Sequence, residues 1–337
     1  MTGVSVGAIN ASFVANYPGS FAEAAEALTQ LWTSLTTQRV VVTRTAPLLS
    51  NLGRWGLQLA AGGERHVSDP RALLDTSPLR DLLEDSLGSG QHQLSGLRSN
   101  LDNRRVEALA LTATSYRTGR AITFTQGGPH VTGADWTRPY REGRSCSLSV
   151  DHVLASCALP LLFPAVSVAG EWFGDGSIRQ GAPLSPAIHL GAQKLLVIST
   201  ARPPQDQSQG EDPYPSPARV AGTVVNAMMF DSTTYDAEYA TRVSTLLRRA
   251  SHPDDDLRPV DVLVLKPTLD LGRLAADYEH HLPRVLRHLT RGWGTLRNNS
   301  SDLMATLLFE AAYTRRLIEL GRRDADEQWS RIEAFVG

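Results

Sequence analysis

The stretch that decides the reading of this chain is Met1-Thr2-Gly3-Val4-Ser5-Val6-Gly7-Ala8-Ile9-Asn10. Gly3-Val4-Ser5-Val6-Gly7 matches G-x-S-x-G, the pattern of a serine on a sharp strand-to-helix turn. Such a turn strains the serine backbone and needs small neighbours, so that strand and helix can approach without a Cβ clash. The helix beneath the serine then offers unpaired N–H groups and a positive dipole end. Residues 8–17, small and apolar, are expected to be that helix. Taken alone, five loosely specified positions also fit a chance glycine-serine turn.

Working outward, residues 21–35 read as a helix with Ser20 as N-cap and Glu23 three residues on, a capping box. Residues 69–87 look helical with a break near Pro78. Residues 106–126 predict two strands joined by a turn at Arg117–Arg120. Residues 150–158 predict a helix that stops before Pro160, followed by an apolar hairpin over 165–173 turning at Ala169-Gly170. A helix over 183–191 and a buried strand over 194–200 follow, then a Pro-, Gln-, Asp- and Ser-rich loop over 201–217. A helical segment over 218–250 precedes a second buried strand at 260–266, and the remainder from about 272 reads as helical. Strands separated by helices imply an α/β fold with a sheet flanked by helices.

A second chemical motif closes that hairpin. Gly174-Asp175-Gly176 follows an apolar strand and presents a carboxylate on a tight turn; an ordinary Asp-Gly turn has the same form. Hydrophobic residues make up 42% of the chain and charged residues 20%, which places it among globular proteins able to bury a core. The formal net charge of -2 provides no overall basic field for nucleic acid. Cys146 and Cys157 form no metal-ligand spacing or disulfide framework, which favours a reducing, cytoplasmic setting. No apolar run is long enough to span a bilayer.

Taken together with their surroundings, the motifs resemble the bacterial branch of the patatin-like phospholipase family. SVGAINAS (5–12) resembles that family's nucleophile elbow. LASCALPLLFPAV (154–166) resembles the segment before its aspartate, and FGDGSIRQGAPLSPAIHLGAQKLLVIS (173–199) its aspartate loop. VDVLVLKPTLDLG (260–272) and SSDLMATLLFEAAYTRRLIELG (300–321) resemble later stretches. The resemblance implies a patatin-like sheet between helices with a helical C-terminal region. Residues 1–268 form the hydrolase domain and 269–337 a helical extension on this reading.

The resemblance implies hydrolysis of fatty-acyl esters in lipids by a Ser-Asp dyad, with no metal or organic cofactor. Ser5 becomes the nucleophile, Asp175 the base and the Val6 N–H an oxyanion donor, with Gly3, Gly7, Gly174 and Gly176 supporting the two turns. The expected partner is a lipid or acyl-ester substrate, with peripheral membrane contact and no nucleic acid. Two departures stand out. Only four residues precede Ser5, so the family's glycine-rich oxyanion loop and first strand are missing, and the chain is expected to be N-terminally incomplete and catalytically poor as it stands. Ser177 and Gly181-Ala182-Pro183 replace the family's second glycine and its asparagine.

Rival readings are an impaired lipid-binding or scaffold protein of the same fold, and a Ser-His-Asp esterase using His152, His189 or His280. Ala61-Gly62-Gly63-Glu64-Arg65 mimics the missing loop but lies downstream of Ser5 and reads as a surface loop. Leu48, Leu52, Trp55 and Leu59 recur at helical spacing, as a lipid-facing lid or, more commonly, a core-packed stripe. Arg248-Arg249 and Arg322-Arg323 read as solvated helix faces.

Overall fold

The computed structural model describes residues 1–42, 72–88, 93–180, 184–200, 214, 232–249, 257–283, 286–287 and 305–337. The loop at 61–65, the Leu48–Leu59 stripe, Gly181–Pro183 and all of 201–217 except Tyr214 lie outside them. The chain divides into two compact units: Met1–Gln30 with Leu35–Gln180, and Leu31–Ser34 with Gly181–Gly337.

The first unit is built on a seven-stranded mixed sheet with helices against it. Strand β1 is Thr2–Val4 and helix α1 is Val6–Asn16. The central strand β2, Ala108–Ser115, is buried along its whole length and pairs antiparallel with β3, Ala121–Gly127. A strand with both faces covered is expected to be apolar throughout, and ALALTATS complies except for its two threonines and Ser115. Thr112 and Thr123 meet that demand by hydrogen bonding to one another across the strands at 3.0 Å. Strands β4 (Trp136–Arg138) and β5 (Arg141–Ser145) extend the sheet beyond β3. The predicted hairpin forms β6 (Val166–Val168) and β7 (Glu171–Asp175), turning through Ala169 and Gly170, both at positive φ.

Helix α1 buries Ala8, Ile9, Phe13 and Ala15 and ends before Pro18. Its C-terminal Asn16 is a structural pin. The Asn16 amide oxygen accepts from the N–H groups of Gly96 and Leu97, and its nitrogen donates to Leu87 O at 3.0 Å. One side chain thus caps the start of the helix Ser95–Asp102 and the end of the helix Ser77–Leu87. Pro78 lies in the first turn of Ser77–Leu87, where its missing N–H costs nothing, so it opens that helix and does not break it.

The second unit holds a two-stranded parallel sheet, β8 (Lys194–Ile198) with β9 (Asp261–Leu265). Both were expected as buried strands. Leu195 and Val197 do point into a small core with Leu184, Ala237 and Val260, but Ile198 is 82% exposed. The apolar run hides an alternation of faces. The helices Leu271–Asp277, Ala311–Glu327 and Trp329–Val336 make the C-terminal region helical, as expected. Buried Asp324 ties Thr268 to this helical layer through the threonine N–H and hydroxyl.

Candidate active site

The site is made by two strands that meet end to end. β1 runs parallel to β2, and its last residue, Val4, stands opposite Thr112. β7 runs antiparallel along the same edge of β2, and its last residue, Asp175, stands opposite Ala113. Thr112 and Ala113 are consecutive, so the two strand ends are about one residue spacing apart, roughly 3.3 Å. Neither strand can continue. β1 leaves through Ser5 into α1, and β7 leaves through a 3-10 turn at Gly176–Ile178. Ser5 and Asp175, 170 positions apart in sequence, are brought together by this collision.

Ser5 carries the strain of the exit. Its backbone sits at φ 53 and ψ -129, a conformation that costs a non-glycine residue about 1–3 kcal/mol. The surroundings hold it there. Its N–H donates to the Ser156 hydroxyl at 3.0 Å, and that hydroxyl donates to Thr112 O at 2.7 Å. Its carbonyl accepts from the Cys157 thiol at 3.0 Å and from the Ala8 N–H at 2.8 Å. Ser156 and Cys157 close the helix Val150–Ser156, so that helix clamps the turn from both sides. The Cys157 thiol is buried, and burial together with the Asp175 charge pushes its pKa well above the ordinary range, which makes it a neutral hydrogen-bond donor.

The glycines divide by role. A Cβ on Gly3 would lie 2.6 Å from the Gly7 carbonyl carbon and 2.7 Å from Ala8 Cα, so strand and helix pack only because it is absent. A Cβ on Gly176 would strike the Thr112 backbone, and one on Gly174 would strike the Tyr116 ring. Gly7 was expected to serve the same packing role as Gly3, and it does not: a Cβ there would meet open space. Its smallness instead leaves room beside the start of α1. The N–H groups of Val6 and Gly7 belong to the first turn, before intrahelical acceptors begin.

Asp175 is fully buried. Desolvation raises its pKa above the ordinary aspartate value, opposed by hydrogen bonds from the Ser177 hydroxyl and N–H and from Ser5. Ser177 holds Oδ1, its N–H at 2.9 Å. Oδ2 is buried without a closed hydrogen bond, while the Ser5 side chain is among the groups that favour the charged form. The backbone is fixed by Asp175 N–H to Ala158 O at 2.8 Å and by the Thr114 hydroxyl to Asp175 O at 2.9 Å.

A glycine-flanked serine at positive φ, clamped beside a buried carboxyl, stands on a sheet that runs from residue 2 to residue 175. The patatin-like phospholipase family matches residues 1–188, more than half of the chain and all of that sheet. The chain belongs to this family. Its patatin-like domain makes it a lipid acyl hydrolase in the general sense, acting on lipid substrates. No curated protein matches the chain.

Among the described residues of the first unit, the histidines His130 and His152 have other partners, His130 pairing with Glu107. His152 Nδ1 accepts from the Ser149 N–H at 3.1 Å in the capping box that starts the helix Val150–Ser156. Its ring packs edge-on against Phe124, and burial lowers its pKa to about 4. In the second unit the His281 ring stacks on Tyr278 and meets the His280 ring at a tilt. Among the described residues, no histidine contributes to the proton affinity of Asp175. No group of three or more His, Cys, Asp or Glu among the described residues is arranged to hold a metal. No described helix is long and apolar enough to cross a membrane.

Sequence reasoning overlooked Ser156, Cys157 and Thr112 as parts of the site, and read Ser177 only as a replacement for the family's second glycine. Their one signal was position: Ser156-Cys157 lies inside the LASCALP segment, and Ser177 two residues beyond the aspartate.

Proposed function

We propose that this chain cleaves fatty-acyl esters of lipids through a Ser-Asp dyad, with Ser5 as nucleophile and Asp175 as base. The observation that supports it is the meeting of β1 and β7 on one edge of β2, which sets a strained serine beside a buried carboxyl. A hydroxyl needs a neighbouring base before it attacks an ester. Burial raises the proton affinity of Asp175, which improves an otherwise weak base. As Ser5 Oγ attacks the ester carbonyl, its proton passes to Asp175. The carbonyl oxygen becomes an oxyanion, and on this reading it accepts a hydrogen bond from the Val6 N–H in the first turn of α1. Collapse expels the alcohol or lysolipid, which takes the proton from Asp175 and leaves an acyl-Ser5 ester. Water, deprotonated by Asp175, then releases the fatty acid and restores Ser5.

The test is hydrolysis of an acyl-chain-length series in mixed micelles by wild type, Ser5→Ala and Asp175→Asn, with circular dichroism alongside. Both variants are expected to lose turnover and keep the fold. A charged Asp175 costs stability at neutral pH, because its folded pKa lies above its unfolded one. Asp175→Asn is therefore expected to unfold no more readily than wild type. Near-wild-type rates in either variant would overturn the dyad, and a strict preference for acetyl esters in free solution would overturn the lipid substrate.

A further inference from the structure

Three antiparallel hairpin turns, β2–β3, β4–β5 and β6–β7, share one end of the seven-stranded sheet. The registers place them together: Ser115 opposes Phe173, and Ala121 opposes Arg141. Across residues 116–120, 138–144, 168–172 and 176–180 stand six arginines against two glutamates, Glu142 and Glu171. Both glutamates are already paired within the fold. Glu171 binds Arg117 and Arg144 at 3.0 Å, and Glu142 binds Arg144 at 2.7 Å and lies 3.8 Å from Arg120.

Three arginines remain. Among the described residues, no carboxylate pairs with Arg138, Arg141 or Arg179. Arg138 and Arg141 stand directly opposite one another in the β4–β5 pair. Like charges in that position destabilise a hairpin unless an outside anion relieves them. Aromatic side chains are interleaved with these cations. Tyr140 is 68% exposed, and Tyr116 and Trp172 are 50% exposed each. The Arg179 guanidinium lies over the Tyr140 ring at 5.6 Å. The Tyr116 N–H donates to Trp172 O, so these two rings stand on neighbouring strands.

We infer that this end of the sheet is a docking surface for a bilayer carrying anionic lipid headgroups. Arginines without a paired carboxylate supply the attraction to the headgroup charge, and tyrosine and tryptophan suit the headgroup boundary. The surface adjoins the candidate site. Trp172 and Asp175 lie on the same strand, three residues or about 10 Å apart. Burial, and after it the nearby Asp175 charge, raises the pKa of the Tyr116 hydroxyl. Docking here would bring the interface to within about 10 Å of Asp175 along β7. The purpose of the surface rests on the acyl-hydrolase reading, whereas its binding does not.

The test uses the 337-residue chain carrying Ser5→Ala, which binds without hydrolysis, and vesicle co-sedimentation. Binding is expected to phosphatidylcholine vesicles holding about 30% phosphatidylglycerol at about 0.1 M salt, and not to pure phosphatidylcholine. Adding Arg138→Gln and Arg179→Gln is expected to weaken it by about fivefold each, while Arg138→Gln melts no lower than its parent because it relieves the repulsion with Arg141. Trp172→Ala is expected to weaken it as well. Equal binding to neutral vesicles, full binding by the arginine variant, or equally tight binding to duplex DNA would overturn the inference. Salt-sensitive binding to anionic vesicles in a protein whose wild type hydrolyses no ester would support the surface and reject the dyad.

Discussion

Alanine at Gly3 and alanine at Gly7 are expected to act in opposite ways. At Gly3 the new Cβ would sit 2.6 Å from the Gly7 carbonyl carbon and 2.7 Å from Ala8 Cα. Both are backbone atoms, and ordinary contact begins near 3.4 Å. β1 and the start of α1 must therefore separate by something under about 1 Å. Overpacking of this kind costs about 1–3 kcal/mol, and the stiffer unfolded chain adds a further penalty-free gain to the native side of about 0.4–1 kcal/mol. The net expectation for Gly3→Ala is a loss of about 1–2 kcal/mol, with turnover falling too because Ser5 moves with the strand end. At Gly7 the Cβ meets nothing, and alanine favours a helix over glycine by up to about 1 kcal/mol. Gly7→Ala is expected to be as stable as wild type or slightly more so. Its methyl group would occupy the space beside the Val6 N–H, so turnover is expected to fall while stability does not. Urea unfolding followed by circular dichroism, with ester hydrolysis on the same samples, separates the two effects. Gly3→Ala unfolding with wild type, or Gly7→Ala losing more than about 1 kcal/mol, would refute the packing argument.

Glu171 provides a pH test. Burial pushes its proton affinity up, but hydrogen bonds from Ser115, Arg117 and Arg144 outweigh it and bring its pKa to about 2. A carboxyl depressed from an ordinary 4.5 contributes stability that is present above about pH 4.5 and lost as pH falls toward 2. Glu171→Gln is thus expected to destabilise the fold by an amount on the order of 2–3 kcal/mol at pH 7, with the gap to wild type closing in acid. Unfolding curves at pH 7 and pH 3 check this, and a gap that is the same at both would count against it. Ser156→Ala removes the hydroxyl that joins Ser5 N–H to Thr112 O. It is expected to cost about 1–3 kcal/mol and to lower kcat more than it raises KM. Steady-state kinetics with unchanged kcat would show that the clamp does not position the serine.

Much of the local structure was legible in advance. Small and apolar residues after a glycine turn marked α1, and Ala169-Gly170 marked the β6–β7 hairpin. The helix Val150–Ser156 and the β2–β3 pair lie where periodicity and turn chemistry put them. These features depend on near neighbours in the chain. Pro78 was misread because a proline breaks a helix interior but suits a first turn, and only the helix start distinguishes the two. β8 was misread because LLVI is apolar at every position, so its sequence does not reveal which face is covered.

By itself, then, the sequence determined the two turns that carry Ser5 and Asp175, the helices and hairpins around them, and the family. Tertiary structure alone decided that β1 and β7 share one edge of β2 and stop at consecutive residues, which is what unites the two turns. It also decided that Ser156 and Cys157 hold the serine, and that Gly3 is packed where Gly7 is open. The reason is physical. Turn and face preferences are set by residues a few positions apart, whereas strand neighbours and register are set by packing between segments more than a hundred residues apart.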